Sequence, residues 1–354
     1  MSRPASSVEW LRDRASLERV AQEWRALPQA QGDPLLGPEW SLAALPALHA
    51  EPMAVAIREA GALTALAPLT CERSAGWARL EILGARYLNE PAGFQYRDLP
   101  ALDALCAAVI GSGLPVILNR VPAQGAEMAA FARAARGRGK LLVRPASPAP
   151  VVNFPADFAG YESTLSARRR QDYRRFRRKL EAQGPVTFDL RLPSAATVGA
   201  ELAEAMRIEA AGWKTRRGSA LAQHPRLGPF FDALAPRMAA RGLLRICYLR
   251  VGGQAIATQI CIEQAGRWWI LKIGYDEQWA QFSPGIQLMW DVVRHAGESR
   301  LGGVEMLGSA EEWISIWTRE LREFRTLVFY PWNGRGAGAF VADATFAIAR
   351  RLRR

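Results

Sequence analysis

Cysteine and histidine are scarce in this chain of 354 residues, and neither is clustered. The four cysteines (Cys71, Cys106, Cys247, Cys261) show no C-x-x-C spacing, which leaves no disulfide framework and no zinc site. Cys247 and Cys261 are expected as small buried residues on neighbouring strands. The three histidines (His49, His224, His295) are far apart, so no metal is expected. No Cys–His or Ser–His signature of covalent catalysis is present. No apolar run is long enough to span a bilayer. Residues 1–10 lack the apolar core of a secretory signal, so the expected location is the cytoplasm. Hydrophobic residues at 49% and charged residues at 23% argue for a globular chain rather than extended disorder. The length suits two medium-sized cores.

Acid is missing from one place in particular. Between 168 and 179 there are eight basic residues against Asp172 alone, a charge of +7 out of a net +12. The basicity is therefore local, and it favours a polyanionic partner. Leu165, Tyr173, Phe176 and Leu180 recur at helical spacing through this segment, predicting an amphipathic helix whose outer face carries Arg168, Arg169, Arg170, Arg174 and Arg175. That face reads as a phosphate holder, as an electrostatic RNA surface, or as a solvated face. The tail, 340–354, is also amphipathic and basic, as in a helix resting on an anionic membrane surface.

The pattern along the chain predicts a mixed α/β (α+β) fold. In the first half, helices are expected over 14–27, 39–48, 100–111 and 124–136, with strands at 53–58, 63–71, 77–83, 116–118 and 141–143. The run 144–150 holds three prolines and reads as a linker, because proline continues neither a helix nor a central strand. This gives domains at 1–144 and 151–335, a linker at 145–150 and a tail at 336–354. In the second half, a strand (186–190) and two helices (195–211 and up to 240) precede three strands, 243–251, 254–263 and 267–275, joined by Gly252-Gly253 and Ala265-Gly266 turns. A helix beginning at Ser283-Pro284-Gly285, a strand at 304–307, a short helix near Trp313 and a strand at 326–330 follow.

The Ser283-Pro284-Gly285 stretch lies between a strong strand and a strong helix. Serine caps helices, proline suits the first turn, and glycine lets another group approach the backbone. A helix start of this kind suits phosphate oxygens; the alternative is an ordinary strand-to-helix turn.

Four ordered stretches carry a family resemblance: 166–175, Trp213-Lys214-Thr215-Arg216-Arg217-Gly218-Ser219, 275–285, and Glu312-Trp313-Ile314-Ser315-Ile316-Trp317-Thr318. Together they resemble the GNAT acyltransferases, more narrowly the CelD-like (cellulose-biosynthesis-associated) acetyltransferases, which are related to the FemAB-type aminoacyltransferases. The resemblance implies a GNAT-like fold over roughly 160–330 and a second, degenerate GNAT-like unit before it. It implies an acyl-CoA donor such as acetyl-CoA and an amine acceptor, with an amino sugar or polysaccharide precursor as the acceptor class. An aminoacyl-tRNA donor, or a non-catalytic RNA- or surface-binding role, are the alternatives. Relatives often carry Lys after the tryptophan of the fourth stretch; here Ile314 stands there, which puts any role of that Lys in doubt.

Direct transfer needs no enzyme nucleophile, only orientation, a base for the amine and stabilisation of the developing charge. By position, Ser283, Gly285 and Ile286 offer N–H groups to a pyrophosphate across the turn that Pro284 opens, and Gln281 adds a side-chain donor. Tyr275 reads as the acid for the leaving thiolate or as a packing aromatic. Asp276 reads as a base or as an Asx cap. Glu305 reads as a base with a raised pKa or as a solvent-facing carboxylate. Trp213, Lys214, Arg216 and Ser219 are candidates to close over the acceptor. Trp313 reads as acceptor-binding or, with Trp317 four residues on, as core.

Overall fold

A computed structural model describes residues 6–155, 157–212, 221 and 224–352. The chain forms two compact units, Met1–Pro148 with Glu323–Arg354, and Ala149–Arg322.

The first unit begins with β1 (Ser6–Leu11), α1 (Arg14–Arg25), α2 (Pro28–Gly32) and α3 (Pro38–Leu48). It continues with β2 (Ala54–Glu59), β3 (Ala62–Ala67), β4 (Leu69–Ser74), β5 (Trp77–Ile82), α4 (Ala85–Leu88) and β6 (Gln95–Tyr96). Then come α5 (Leu99–Gly111), β7 (Val116–Pro122), α6 (Ala126–Ala135) and the start of β8 (Gly139–Asn153). One sheet has the order β1-β2-β3-β6. The stretch 63–71, expected as a single strand, is two: Pro68 lacks the N–H a continuous ladder needs, and β3 and β4 belong to different sheets. The core of this unit gathers Val55, Ile57, Leu80, Leu102, Leu105, Val116, Leu118 and Phe131, all buried.

The expected linker is not irregular. Pro145, Pro148 and Pro150 all lie within β8, and the boundary between units falls inside that strand. The prolines of 144–150 exclude a fully bonded central strand, not an extended one, since proline's fixed φ is compatible with extended backbone.

The second unit holds α7 (Phe158–Thr164), α8 (Ala167–Glu181), β9 (Val186–Arg191), α9 (Val198–Ala210), α10 (Leu227–Ala240) and β10 (Leu244–Val251). After these come β11 (Gln254–Gln264), β12 (Arg267–Tyr275), α11 (Pro284–Glu298) and β13 (Gly303–Glu305). β9, β10, β11 and β12 are successive antiparallel neighbours. The two expected hairpins are present, with positive φ at Gly252, Gly253, Ala265 and Gly266, as two-residue turns between twisted strands require. Helix α11 is the crossover that makes β13 parallel to β12. It buries Leu288, Met289, Val292, Val293 and Ala296 against Cys247, Cys261, Trp268 and Ile270. Each such large side chain contributes about 1.5–3 kcal/mol on burial. The basic helix is α8: Ser166 caps it by accepting from the Arg169 N–H (3.3 Å), and its apolar stripe buries Tyr173 and Leu180.

The chain then returns to the first unit through β14 (Leu321–Pro331), which pairs antiparallel with β7, and ends in α12 (Gly334–Leu352). Residues 323–335, read as part of the second domain, thus pack with the first unit, and the expected tail is a helix of that unit. No described helix is long and apolar enough to cross a membrane.

Candidate active site

The second unit has a cavity of about 550 Å³ at the end of β12. Three features of the backbone open it. Leu271 is an extra residue in the β11–β12 ladder, where Ile260 faces Lys272 and Cys261 faces Ile270; such bulges kink a strand and re-aim its side chains. β13 pairs with β12 only from Arg267 to Trp269, so beyond Trp269 that edge of β12 has no strand beside it among the described residues. The chain then turns through a 3-10 helix, Glu277–Phe282, into α11.

One wall is the start of α11. Ser283 sits in the left-handed region at φ +53° and its side chain makes no cap bond, contrary to the expected serine cap. Its N–H donates to Ala280 O (3.0 Å), and the Ile286 N–H donates back to Ser283 O (3.1 Å), so neither is available to a pyrophosphate. Pro284 has no N–H. The Gly285 N–H takes no partner among the described residues, which leaves it as the donor of this turn. Tyr275 faces it: a Cβ added at Gly285 would lie 3.3 Å from the Tyr275 ring.

The opposite wall was not read from the sequence. Glu209, in the last turn of α9, lines the cavity although only 2% of its surface is exposed. Its Oε2 accepts from the Leu221 N–H at 2.8 Å. Gly274 permits this approach, because a Cβ there would come within 2.6–2.8 Å of Glu209 Cα, Cβ and Cγ. Glycine inside a strand signals such close packing, and Gly274 was the one sequence cue available. Thr258 pairs with Gly274 across β11 and β12 and also lines the cavity. Its buried hydroxyl has no hydrogen-bond partner among the described residues. Trp313 lines the rim and donates its indole N–H to Glu311 Oε2 at 2.7 Å.

Other expected site residues are elsewhere. Asp276 Oδ1 accepts from the Gln278 N–H (3.0 Å), so it caps the 3-10 turn. Gln281 is exposed and does not line the cavity. Glu305 is buried on β13, but Arg267 Nε (2.6 Å) and Arg322 Nε (2.8 Å) donate to its two oxygens. A carboxylate held between two guanidiniums has no lone pair aimed at a substrate, so Glu305 does not suit a base. Trp317 stacks on Tyr173 in the core (centroids 5.3 Å apart). Ile314 is buried in the same core, so the departure from the usual Lys serves packing. Trp213, Lys214, Arg216 and Ser219 lie outside the described residues.

The basic helix divides likewise. Arg169 donates to Ile316 O (2.6 Å) and Arg170 to Leu165 O (2.6 Å), so both brace loops instead of facing a polyanion. Arg168, Arg174 and Arg175 are exposed; Arg175 pairs with Asp172 at 2.9 Å. Among the described residues no group of three or more His, Cys, Asp or Glu has metal-holding geometry.

The family model described as "Acetyltransferase (GNAT) domain" matches residues 167–314, a span that contains every residue lining the cavity. Residues 167–314 thus match the GNAT acetyltransferase domain. Solved structures similar to the whole chain show the same fold. FemX is 10% identical at a TM-score of 0.59, with 92% of this chain and 98% of that chain covered. The C-terminal domain of a putative lysylphosphatidylglycerol synthetase from Agrobacterium fabrum is 14% identical at 0.56, with 93% and 96% covered. L-PGS from Bacillus licheniformis is 14% identical at 0.51, with 93% and 96% covered. No curated protein matches the sequence.

Proposed function

We propose that this chain is an N-acyltransferase that moves an acyl group directly from acyl-CoA to an amine. The observation that carries the reading is the juxtaposition in one cavity of an unbonded helix-start N–H (Gly285), a phenol (Tyr275) and a buried carboxylate (Glu209) at the open edge of β12. Gly285 N–H binds a donor phosphate oxygen. Glu209 takes the proton as the acceptor amine attacks the thioester carbonyl. The C–S bond breaks, and Tyr275 gives its proton to the departing thiolate. The resemblance to the CelD-like branch supports an amino sugar or cell-envelope precursor as acceptor, and supply of acyl-CoA places the reaction in the cytoplasm. The first unit is read as a degenerate GNAT-like partner without a donor site of its own.

A second reading is favoured by the exposed arginines of α8, Arg168 and Arg174, and by the likeness to FemX: an aminoacyl-tRNA donor held electrostatically outside the cavity. Calorimetry with CoA, acetyl-CoA and tRNA at two salt concentrations separates the two. CoA binding that Gly285→Trp abolishes in a folded protein is the expected result. An absence of CoA binding at millimolar ligand sinks the first reading, and RNA affinity insensitive to salt sinks the second.

A further inference from the structure

The sheet strands of the first unit present two unlike faces. Leu80 of β5, Val116 and Leu118 of β7 and Leu327 and Phe329 of β14 enter the core. The alternating residues face the other way, and there the strands carry charge: Arg79 and Glu81 are both buried, 1% and 2% exposed. Arg79 is held bidentately by Asp343 of α12 (2.6 and 2.8 Å), which also accepts from the Tyr330 hydroxyl (2.6 Å). Glu81 is paired with Arg86. Only the first half of α12 closes on this face, through Ala339 against Val328 and Tyr330. Beyond Asp343 a cleft of about 550 Å³ remains, and Arg144 and Arg351 line it with no ion pair among the described residues. The cleft thus carries the charge of Arg144 and Arg351 above a floor whose own charged groups are ion-paired.

The helix over it is also unusual. Phe346 is 71% exposed, Val341 62% and Ile348 60%, and Trp332 just before the helix is 69% exposed. Val341 and Ile348, at i and i+7, share one outward face, while Phe346 stands beside the cleft it helps to line. From 344 to 354 the sequence has four arginines and no acid. Exposed apolar side chains on a helix whose sequence ends in clustered arginines match the interface between lipid headgroups and acyl chains, and the charge complements anionic lipid.

We propose that the first unit docks on an anionic membrane surface, with the exposed apolar residues of α12 entering the acyl boundary and the Arg144–Arg351 cleft receiving an anionic lipid headgroup. The site is separate from the cavity of the second unit and does not depend on the acyltransferase reading.

Cosedimentation of the full chain with vesicles of phosphatidylcholine, alone or mixed with phosphatidylglycerol, tests this. Binding to the mixed vesicles, weakened by salt and near absent on phosphatidylcholine alone, is expected. The double substitution Phe346→Ser with Ile348→Ser, checked for an unchanged circular dichroism spectrum, is expected to weaken it about tenfold or more. Arg144→Ala, which leaves the exposed apolar residues of α12 intact, is expected to weaken binding to the mixed vesicles and to reduce its salt dependence. No vesicle binding, or equal binding by the double variant, overturns the proposal. So does a concentration-dependent dimer in sedimentation velocity that the double variant abolishes, since those residues then pack on a second copy.

Discussion

The two ends of β12 each bury a glutamate to the same 2% exposure, and they do opposite things with it. At the start of the strand, where β13 still pairs, Glu305 is clamped between Arg267 and Arg322. At the far end, where that pairing has stopped, Glu209 borders a cavity and shares it with Tyr275 and Gly285. Burial alone therefore does not mark a catalytic carboxylate. What separates the two is that Glu209 borders space a substrate can occupy, whereas Glu305 lines no cavity and is held by two guanidiniums.

The largest expected effect tests the open end. Glu209→Gln keeps an acceptor for the Leu221 N–H but removes the base, and thiol release from acetyl-CoA in the presence of an amino-sugar acceptor should fall by about 10²–10⁴-fold with donor affinity retained. A loss confined to donor affinity would return the role to another residue. At the closed end the signature is reversed. Glu305→Gln should cost about 2–3 kcal/mol in denaturant unfolding, below the full cost of a broken buried pair because Arg322 is half exposed, while turnover of the folded protein is unchanged. A stable, inactive Glu305→Gln would erase the contrast between the two ends.

A smaller effect is expected at Gly285. Gly285→Val places methyl groups against the Tyr275 ring and beside the free N–H, and should weaken CoA binding about tenfold while leaving thermal stability close to that of the parent. Equal affinity would place the donor phosphates elsewhere.

The smallest is a pH effect near the other end of α11. Burial against Trp268 and Phe188 holds the His295 imidazole below its usual value, despite the opposing pull of Glu263 and Glu298. Its folded pKa lies below the unfolded one, so its contribution to stability is complete above the ordinary value of 6.5 and is lost as pH falls through the folded pKa. Melting temperature should decline as pH is lowered from 6.5, and His295→Phe should flatten that decline; an identical slope would assign it to other groups.

Much of the scaffold was legible in the sequence. The three-strand meander, the α11 start and the apolar stripe of α8 follow from local periodicity and turn chemistry, which neighbouring residues dictate to one another. The beginning of one cavity wall, Ser283-Pro284-Gly285, was legible as a place, but its hydrogen bonds were not: the turn consumes two of the three N–H groups expected to hold a phosphate. Pro68 and the prolines of β8 show the limit of reading breakers singly, since one splits a strand between two sheets and the others are absorbed by an extended one.

What the sequence determined by itself was the order of elements, the position of the helix start and the concentration of charge in α8. Only the tertiary structure decided which buried acid stands beside a cavity. Glu305 meets its two arginines from 38 and 17 residues away, and Glu209 reaches the cavity because Gly274, on a strand far along the chain, leaves room for it. A carboxylate's chemistry is set by the cations and the space around it, and both are supplied by residues that come together only when the sheet and its helices have packed.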